Sequence, residues 1–379
     1  MRPLPDYPAY KTAHPPVNAR WLSAAALLVL LSGGGSALLP STQGNTSTRV
    51  AVILLSLILV GTGWLIRLLY YRVSMHNAAY YQQMVAYEQQ QWWAQHRQSF
   101  ALQEVVLLGP AGMRSDDWLR VLRREQRQPV EKKEPGGRAL RLPHISATDA
   151  TAREKQLAEL LATEWHKQRR DKAFASPLRC YWQGTQQSWQ AFHVQMAATF
   201  PDVLLPSQPE SWQGEASLAA IARGLAQAEP GDTMLIAGCQ SLVAQSGSAL
   251  PAGEAAVLWL AGRNGRVQLT RGETFCAENG DALPEVCARA LDQSELRDPP
   301  EACPLFSRPD LAALAHSGWD VSQHLQDASW GNIGNMEALT MLSLAAIYAA
   351  HHQQPCGWIA RDPMNTLALG IVKPDGQSQ

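Results

Sequence analysis

The sequence is poor in charged side chains, and the charges that it has are balanced. Asp, Glu, Lys and Arg make up 17% of the 379 residues, below the roughly 25% of ordinary soluble domains. Lys and Arg number 32 against 33 for Asp and Glu, so the formal net charge is -1. A dedicated nucleic-acid-binding protein usually carries a strongly basic face or a basic total. We therefore expect no nucleic-acid partner.

The sequence also lacks the segments that mark common catalytic and metal sites. It contains no G-x-x-x-x-G-K-[ST], no G-x-G-x-x-G and no G-x-S-x-G, which excludes the usual phosphate loop, dinucleotide turn and nucleophile elbow. No H-E-x-x-H segment and no C-x-x-C pair offers metal ligands. We therefore predict no cofactor, no metal ion and no catalytic residue.

The six cysteines show no pairing pattern that would indicate a redox or zinc site. Cys239, which follows a predicted strand, is the nearest to a nucleophile. No adjacent base or helix start in the sequence would lower the pKa of its thiol. Buried free thiols are the default for such cysteines in a cytosolic protein.

The apolar residues, 46% of the chain, include two runs near its start. Trp21–Leu39 and Val50–Leu69 are 19 and 20 residues long, and about 20 helical residues cross a hydrocarbon core of about 30 Å. The single charge of the second run, Arg67, lies near its end, where it can reach the headgroups. We predict a transmembrane hairpin over residues 21–72, with a cleaved signal peptide in the first run as the alternative.

Basic residues indicate the orientation of this hairpin, since short cytoplasmic flanks are rich in Lys and Arg. The loop between the two runs contains Arg49 alone. The tail over residues 1–20 and the flank after the second run hold five basic residues: Arg2, Lys11, Arg20, Arg67 and Arg72. The tail and the large C-terminal part are therefore predicted to be cytoplasmic.

After the hairpin, the pattern predicts a helical stalk and then an α/β domain. Residues 73–100 contain no Pro or Gly and place Tyr80, Met84, Tyr87 and Gln91 on one helix face. Strands then alternate with helices, which is typical of a layered α/β domain with both sheet faces covered. The predicted strands are 103–109, 178–182, 232–237, 255–261, 267–270, 357–360 and 366–372, and the predicted helices are 116–126, 152–170, 188–198, 216–228 and 336–351.

Two regions of the C-terminal half resemble the β-ketoacyl synthase part of the thiolase-like fold. The first is GDTMLIAG at 231–238, followed by Ser241 and by PAGEAAVLWL at 251–260. The second is GNIGNMEA at 331–338, which is similar to the S-N-I-G-H-T-E-A stretch that opens a helix in those enzymes. The resemblance implies a thiolase-like half over residues 231–379, behind an N-terminal α/β half over 101–230.

The same resemblance implies that the condensing chemistry has been lost. The His of the family's stretch is Asn335 here, and an Asn side chain can donate a hydrogen bond but cannot become cationic. The sequence matches neither the family's nucleophilic Cys segment nor its other His motif. We therefore predict a degenerate site around Asn335 and Cys239, in a protein that is not an enzyme.

The overall plan, an apolar hairpin, a stalk and a large α/β part, resembles the type VI secretion lipase adaptor family. That resemblance implies a non-catalytic adaptor at the bacterial inner membrane, which binds a lipase-type effector protein and helps to load it onto a secretion spike protein. Tryptophans dominate many interfaces, although they serve equally as core and membrane-edge residues. The candidates for the interface are Trp92, Trp93, Trp182, Trp189 and Trp212.

Two other functions remain open at this point. One is a membrane-anchored enzyme of the β-ketoacyl synthase type, which binds or condenses acyl thioesters. The other is a lipase immunity protein, which requires the bulk of the chain on the outer side of the inner membrane.

Overall fold

The computed structural model describes residues 5, 7–37, 46–170, 174–307, 314, 316–319, 324–362 and 366–375. They form two compact units, one ending at Trp93 and one beginning at Ala94. The boundary falls near the end of the predicted stalk. The first is called the N-terminal unit here and the second the C-terminal unit.

Two helices make up most of the N-terminal unit, α1 (Asn18–Ala37) and α2 (Thr46–His96). The second apolar run and the predicted stalk are parts of one continuous helix, because α2 is 51 residues long. No Pro interrupts this stretch, so its backbone hydrogen bonds continue past the apolar part.

The segment before α1 packs along α2. The Ala13 N–H donates to Ser74 Oγ at 2.9 Å, and Trp64 Nε1 donates to Asn18 Oδ1 at 3.1 Å. On the same face of α2 as Ser74, Ala78 is also buried. One face of the stalk is therefore covered from within the N-terminal unit.

One helix among the described residues is long and apolar enough to cross a membrane. It lies within Val50–His96, its most apolar window has a mean hydropathy of 2.3, and none of that window is buried. Within α1 the apolar stretch found among the described residues, Asn18–Ser32, is shorter than a membrane span. A two-helix transmembrane hairpin, predicted from the sequence, is thus not shown.

The C-terminal unit is built on one mixed sheet, which has nine strands among the described residues. Their order is β10-β11-β8-β1-β7-β6-β4-β5, with β9 also paired to β11. β4 pairs in parallel with β5 and β6, and the other pairs are antiparallel. The strands are β1 (Ser99–Leu108), β4 (Arg179–Gln183), β5 (Glu210–Ser211), β6 (Met234–Ser241), β7 (Glu254–Gly262), β8 (Val267–Thr270), β9 (Glu273–Phe275), β10 (Cys356–Ala360) and β11 (Leu367–Pro374).

Helices cover both faces of this sheet, as the sequence predicts. One core cluster joins the sheet to α3, α6 and α9, and a second joins its other face to α4 and α5. All nine residues of β7 are consequently buried, which explains its unbroken apolar run. The helices are α3 (Ser115–Leu122), α4 (Ala150–Arg169), α5 (Gln186–Thr199), α6 (Glu215–Gln227), α7 (Leu283–Gln293), α8 (Asp327–Trp330) and α9 (Glu337–His352).

The first synthase-like region forms two neighbouring strands of this sheet. β6 and β7 pair antiparallel, with Leu235 opposite Leu260 and Cys239 opposite Ala256. Strands from both predicted halves, 101–230 and 231–379, share the one sheet. The sequence missed α7, α8, β5, β9 and a small hairpin of β2 (Lys132–Glu134) and β3 (Gly137–Ala139). The four missed strands have only two or three residues each, too few to show a period.

Candidate functional site

Cys239 lies in β6 on the side of the sheet that faces α4 and α5. Its side chain is fully buried, and Sγ donates to the Glu154 carbonyl oxygen at 3.4 Å. Burial raises the pKa of the Cys239 thiol, and the nearby Glu154 carboxyl raises it further. The thiol therefore stays protonated at neutral pH and has no surface exposed to solvent.

Asn335 lies in the 3-10 turn that leads into α9, and its side chain is exposed. The backbone forms this turn because Gly334 takes a φ of 57°, a left-handed conformation that favours glycine. The Asn335 N–H donates to Gln240 Oε1 at 3.0 Å, so the turn is attached to β6.

The sheet separates these two predicted site residues. Neighbouring residues of a strand point to opposite faces, and Gln240 contacts the turn of Asn335 while Cys239 belongs to the cluster with α4 and α5. Asn335 and Cys239 therefore do not form one site. The sequence predicted that Cys239 follows the end of a strand, whereas it lies within β6, which continues to Ser241, and the resemblance carried no information about the face.

Charged residues that the sequence patterns did not indicate meet where α6, α9 and the end of β10 come together. The Glu337 carboxylate accepts the Arg361 N–H at 2.9 Å, and Asp362 Oδ2 accepts the Glu215 N–H at 3.4 Å. Glu215 also pairs with Arg271, with 2.6 Å between Oε1 and Nη2. Single residues at the ends of elements have no spacing that a motif search would detect.

A cavity of about 200 Å³ lies beside this charged cluster and the Asn335 turn. It is smaller than the roughly 300–1,000 Å³ of most ligand pockets. Its walls combine polar and apolar groups, so it suits a small polar ligand or a tip of a larger one. The lining includes Ser248, Leu250, Phe306, Asn332, Glu337 and Arg361. Among the residues that the structure describes, no three His, Cys, Asp or Glu side chains are placed to hold a metal ion.

The other cysteines offer no better nucleophile. Burial raises the pKa of the Cys180 thiol to about 12, and it also raises the thiol pKa values of Cys287, Cys303 and Cys356. Cys276 is half-buried at the end of β9. The Asp281 carboxylate accepts its backbone N–H at 3.0 Å, and a carboxylate supplies no positive field of the kind that activates catalytic thiols.

We expect Cys276 to react with a thiol reagent well before the other five cysteines, because accessible thiols react and buried thiols with raised pKa values do not. Mass-spectrometric mapping of maleimide-labelled peptides from the native protein measures this order. The Cys276→Ser variant serves as the control and should lose the fast phase of labelling. Equally fast labelling of Cys180 or Cys239 would contradict the burial described here.

Three of the five tryptophans that the sequence suggested for an interface are core residues. Trp182, Trp189 and Trp212 are 5%, 1% and 6% exposed, so their side chains offer almost no area to a partner. Trp92 and Trp93 are half-buried, with their rings edge to face at 4.8 Å. For the three buried residues, the structure agrees with the core role that the sequence left open.

Comparison with known proteins finds similarity in fold and none in sequence. No protein-family model and no curated protein matches the chain. The ishigamide ketosynthase/chain length factor shares the fold at a TM-score of 0.54 and 14% identity, over 73% of this chain and 100% of that one. Ketosynthase twelve of the bacillaene polyketide synthase from Bacillus amyloliquefaciens shares the fold at a TM-score of 0.50 and 11% identity. The match covers 74% of this chain and 75% of that one. The chain thus has a thiolase-like fold.

Proposed function

We propose that the chain is a membrane-attached protein of the thiolase-like fold that acts by binding another protein and does not condense acyl thioesters. The observation that carries this proposal is the state of the thiols. Condensation of the ketosynthase type needs an accessible thiolate. Five of the six cysteines are buried with raised thiol pKa values, and Cys276 has a carboxylate beside its backbone.

The surroundings of Asn335 support the same proposal. A condensing site needs donors around the oxyanion that develops during the reaction, close to the nucleophile. Asn335 is exposed and cannot become cationic, and the sheet lies between it and Cys239. A domain in which these two residues do not form one site is better suited to acting through its surface.

The partners proposed for this surface are those that the adaptor resemblance implies, a lipase-type effector protein and a secretion spike protein. The candidate span in α2 supports a role at a membrane, where attachment would raise the local concentration of a bound cargo. The basic flanks indicate that the large C-terminal unit is cytoplasmic. In that location it would bind the cargo before export.

Affinity capture of the tagged full chain from its native cell tests this role. We expect a lipase-like protein, a spike component or both to co-purify, and deletion of the gene to reduce export of the effector. Recovery of neither, together with unchanged export, would contradict the adaptor role.

The immunity alternative is tested with the thiol of Cys276, which is partly accessible. Its labelling by an impermeant reagent in intact spheroplasts would place the unit outside the membrane.

A condensing or acyl-thioester-binding protein is the second candidate. Two observations favour it: the two solved structures named above are ketosynthases, and a cavity lies beside the Asn335 turn. Its test is incubation of the full chain with an acyl-thioester probe at neutral pH. We expect no covalent labelling. Labelling that is abolished by a single Cys→Ser change would establish this second candidate, whereas saturable binding without labelling would make the chain an acyl-binding protein.

A further inference from the structure

The stalk part of α2, together with the end of the apolar run before it, has a second face that stays exposed among the described residues of the N-terminal unit. Starting at Ile66, exposed residues recur at alternating intervals of four and three residues. Six of them are large and apolar or aromatic, with exposures between 39% and 62%. The positions are Ile66, Tyr70, Val73, Asn77, Tyr80, Met84, Tyr87 and Gln91, and they are called the stalk stripe below.

From this stripe we infer that two copies of the chain associate through a parallel two-stranded coiled coil of their stalks. A repeat of 3.5 residues is the period at which two helices wind around each other with a left-handed supercoil. Because spacings of three and four residues also occur on a helix that packs against a globular surface, the choice of partner rests on the polar residue, the charge and the area of the stripe. The stripe spans 26 residues, or about 39 Å of helix.

The polar member Asn77 favours a second copy over a different partner. With Tyr70, Asn77 and Met84 at the a positions, Val73, Tyr80 and Tyr87 take the d positions. A single Asn at an a position fixes the register of a parallel dimer, because it pairs with the same Asn of the other chain. Two copies anchored by the same segment of α2 in one membrane would present their stripes in parallel.

The charge of the stalk and the exposed area of the stripe also favour a second copy of the chain as the partner. Over residues 66–91 the only Asp, Glu, Lys or Arg residues are Arg67, Arg72 and Glu88. None of them is a stripe position, so identical stalks carry little charge that would repel. A buried aromatic side chain covers about 150–250 Å², which leaves on the order of 600 Å² of the stripe uncovered. Each partner of a standard interface contributes about 800 Å², so one stalk nearly supplies this area.

Disulfide cross-linking of the full chain in its native membrane tests the dimer. Single cysteines are introduced on the stripe by Asn77→Cys, Tyr80→Cys and Met84→Cys, and off it by Ala79→Cys and Gln82→Cys, which are equally exposed. The native cysteines all lie outside the stalk, and the unchanged chain provides the background. Under mild oxidation we expect at least tenfold more product of twice the 41.5 kDa chain mass from the stripe positions.

A second variant pair removes the association itself. Tyr80→Asp with Tyr87→Asp, added to Asn77→Cys, should reduce cross-linking about tenfold, because paired carboxylates would repel within the seam. Ala79→Asp with Ala86→Asp has the same spacing off the stripe and should leave it unchanged. Equal products at stripe and control positions, no product at any stripe position, or a product containing a different protein would each overturn the dimer.

Discussion

Replacing Glu254 by Gln is expected to lower the free energy of unfolding of the C-terminal unit by about 3–5 kcal/mol, the usual effect of removing one member of a buried ion pair. The Glu254 side chain is completely buried in β7. An amide at this position would keep the shape but remove the negative charge that two buried guanidinium groups face. Urea unfolding of the full chain in detergent, followed by circular dichroism, measures the change.

The geometry around Glu254 explains the size of this effect. Arg153 binds the carboxylate with two hydrogen bonds, Nε to Oε2 at 2.8 Å and Nη2 to Oε1 at 2.6 Å. Ser241 Oγ donates to Oε2 at 2.9 Å, and Arg141 Nη1 lies 3.7 Å from Oε2. Arg141 is itself paired with Glu134 at 2.7 Å. Without the Glu254 charge, the Arg153 guanidinium would remain buried and uncompensated.

An exposed ion pair of the same unit provides the matched control. Arg138 and Glu131 lie 3.4 Å apart, with side chains 51% and 45% exposed. Glu131→Gln should change the free energy of unfolding by no more than about 1 kcal/mol, since water screens such pairs. A loss below about 1 kcal/mol for Glu254→Gln as well would show that the buried network does not hold the unit together.

The Glu254 network shows how far the sequence resemblance extends. PAGEAAVLWL correctly indicated the strand β7, because an apolar run bounded by a Pro-Gly turn is a strong strand pattern. Its Glu was read only as part of a family segment. Arg153 lies 101 residues away in the chain, and no local pattern connects two residues that only the folded sheet brings together.

The candidate site was the least predictable part of the molecule for a similar reason. Asn335 and Cys239 were chosen by their segments. The first segment forms β6, which extends beyond the predicted end to Ser241, and the second forms the turn that opens α9. Whether two such residues meet depends on which sheet face each side chain takes, and one residue of strand register reverses that face. The charged cluster at Glu337 and Asp362 is assembled from distant elements. The segment GNIGNMEA contains Glu337, but it carried no signal for the partners of this residue.

The sequence located the long helices but did not show which tryptophans are buried. Amphipathic and apolar periods correctly located α4, α5, α6 and α9, because long elements repeat their pattern several times. Composition alone could not separate core from interface tryptophans, since both environments favour the same large ring with a polar N–H. The burial of Trp182, Trp189 and Trp212 follows from the helices that cover both faces of the sheet.

Truncating Trp259 to Ala is expected to lower the free energy of unfolding by about 3–5 kcal/mol, as for other fully buried aromatic residues. Trp259 is completely buried in β7, on the face that α6 and α9 cover. Its ring lies edge to face against Trp212 at 5.8 Å, and Nε1 donates to Ser343 Oγ at 2.7 Å. The truncation would remove both contacts and leave a cavity at the centre of the sheet.

Two further variants separate packing from hydrogen bonding at this position. Trp259→Phe keeps an aromatic ring but removes the N–H donor, and Ser343 Oγ retains its own donation to the Leu339 carbonyl at 2.7 Å. Trp259→Phe should therefore lower the free energy of unfolding by about 1 kcal/mol for the lost hydrogen bond, with a further small loss because the Phe ring fills less volume. As a control, Val194→Ala on the exposed face of α5, where the side chain is 69% exposed, should change the free energy of unfolding by no more than about 0.5 kcal/mol. If Trp259→Phe destabilised the unit as much as Trp259→Ala, the hydrogen bond to Ser343 in α9, and not the packing of the ring, would be the dominant contribution of Trp259.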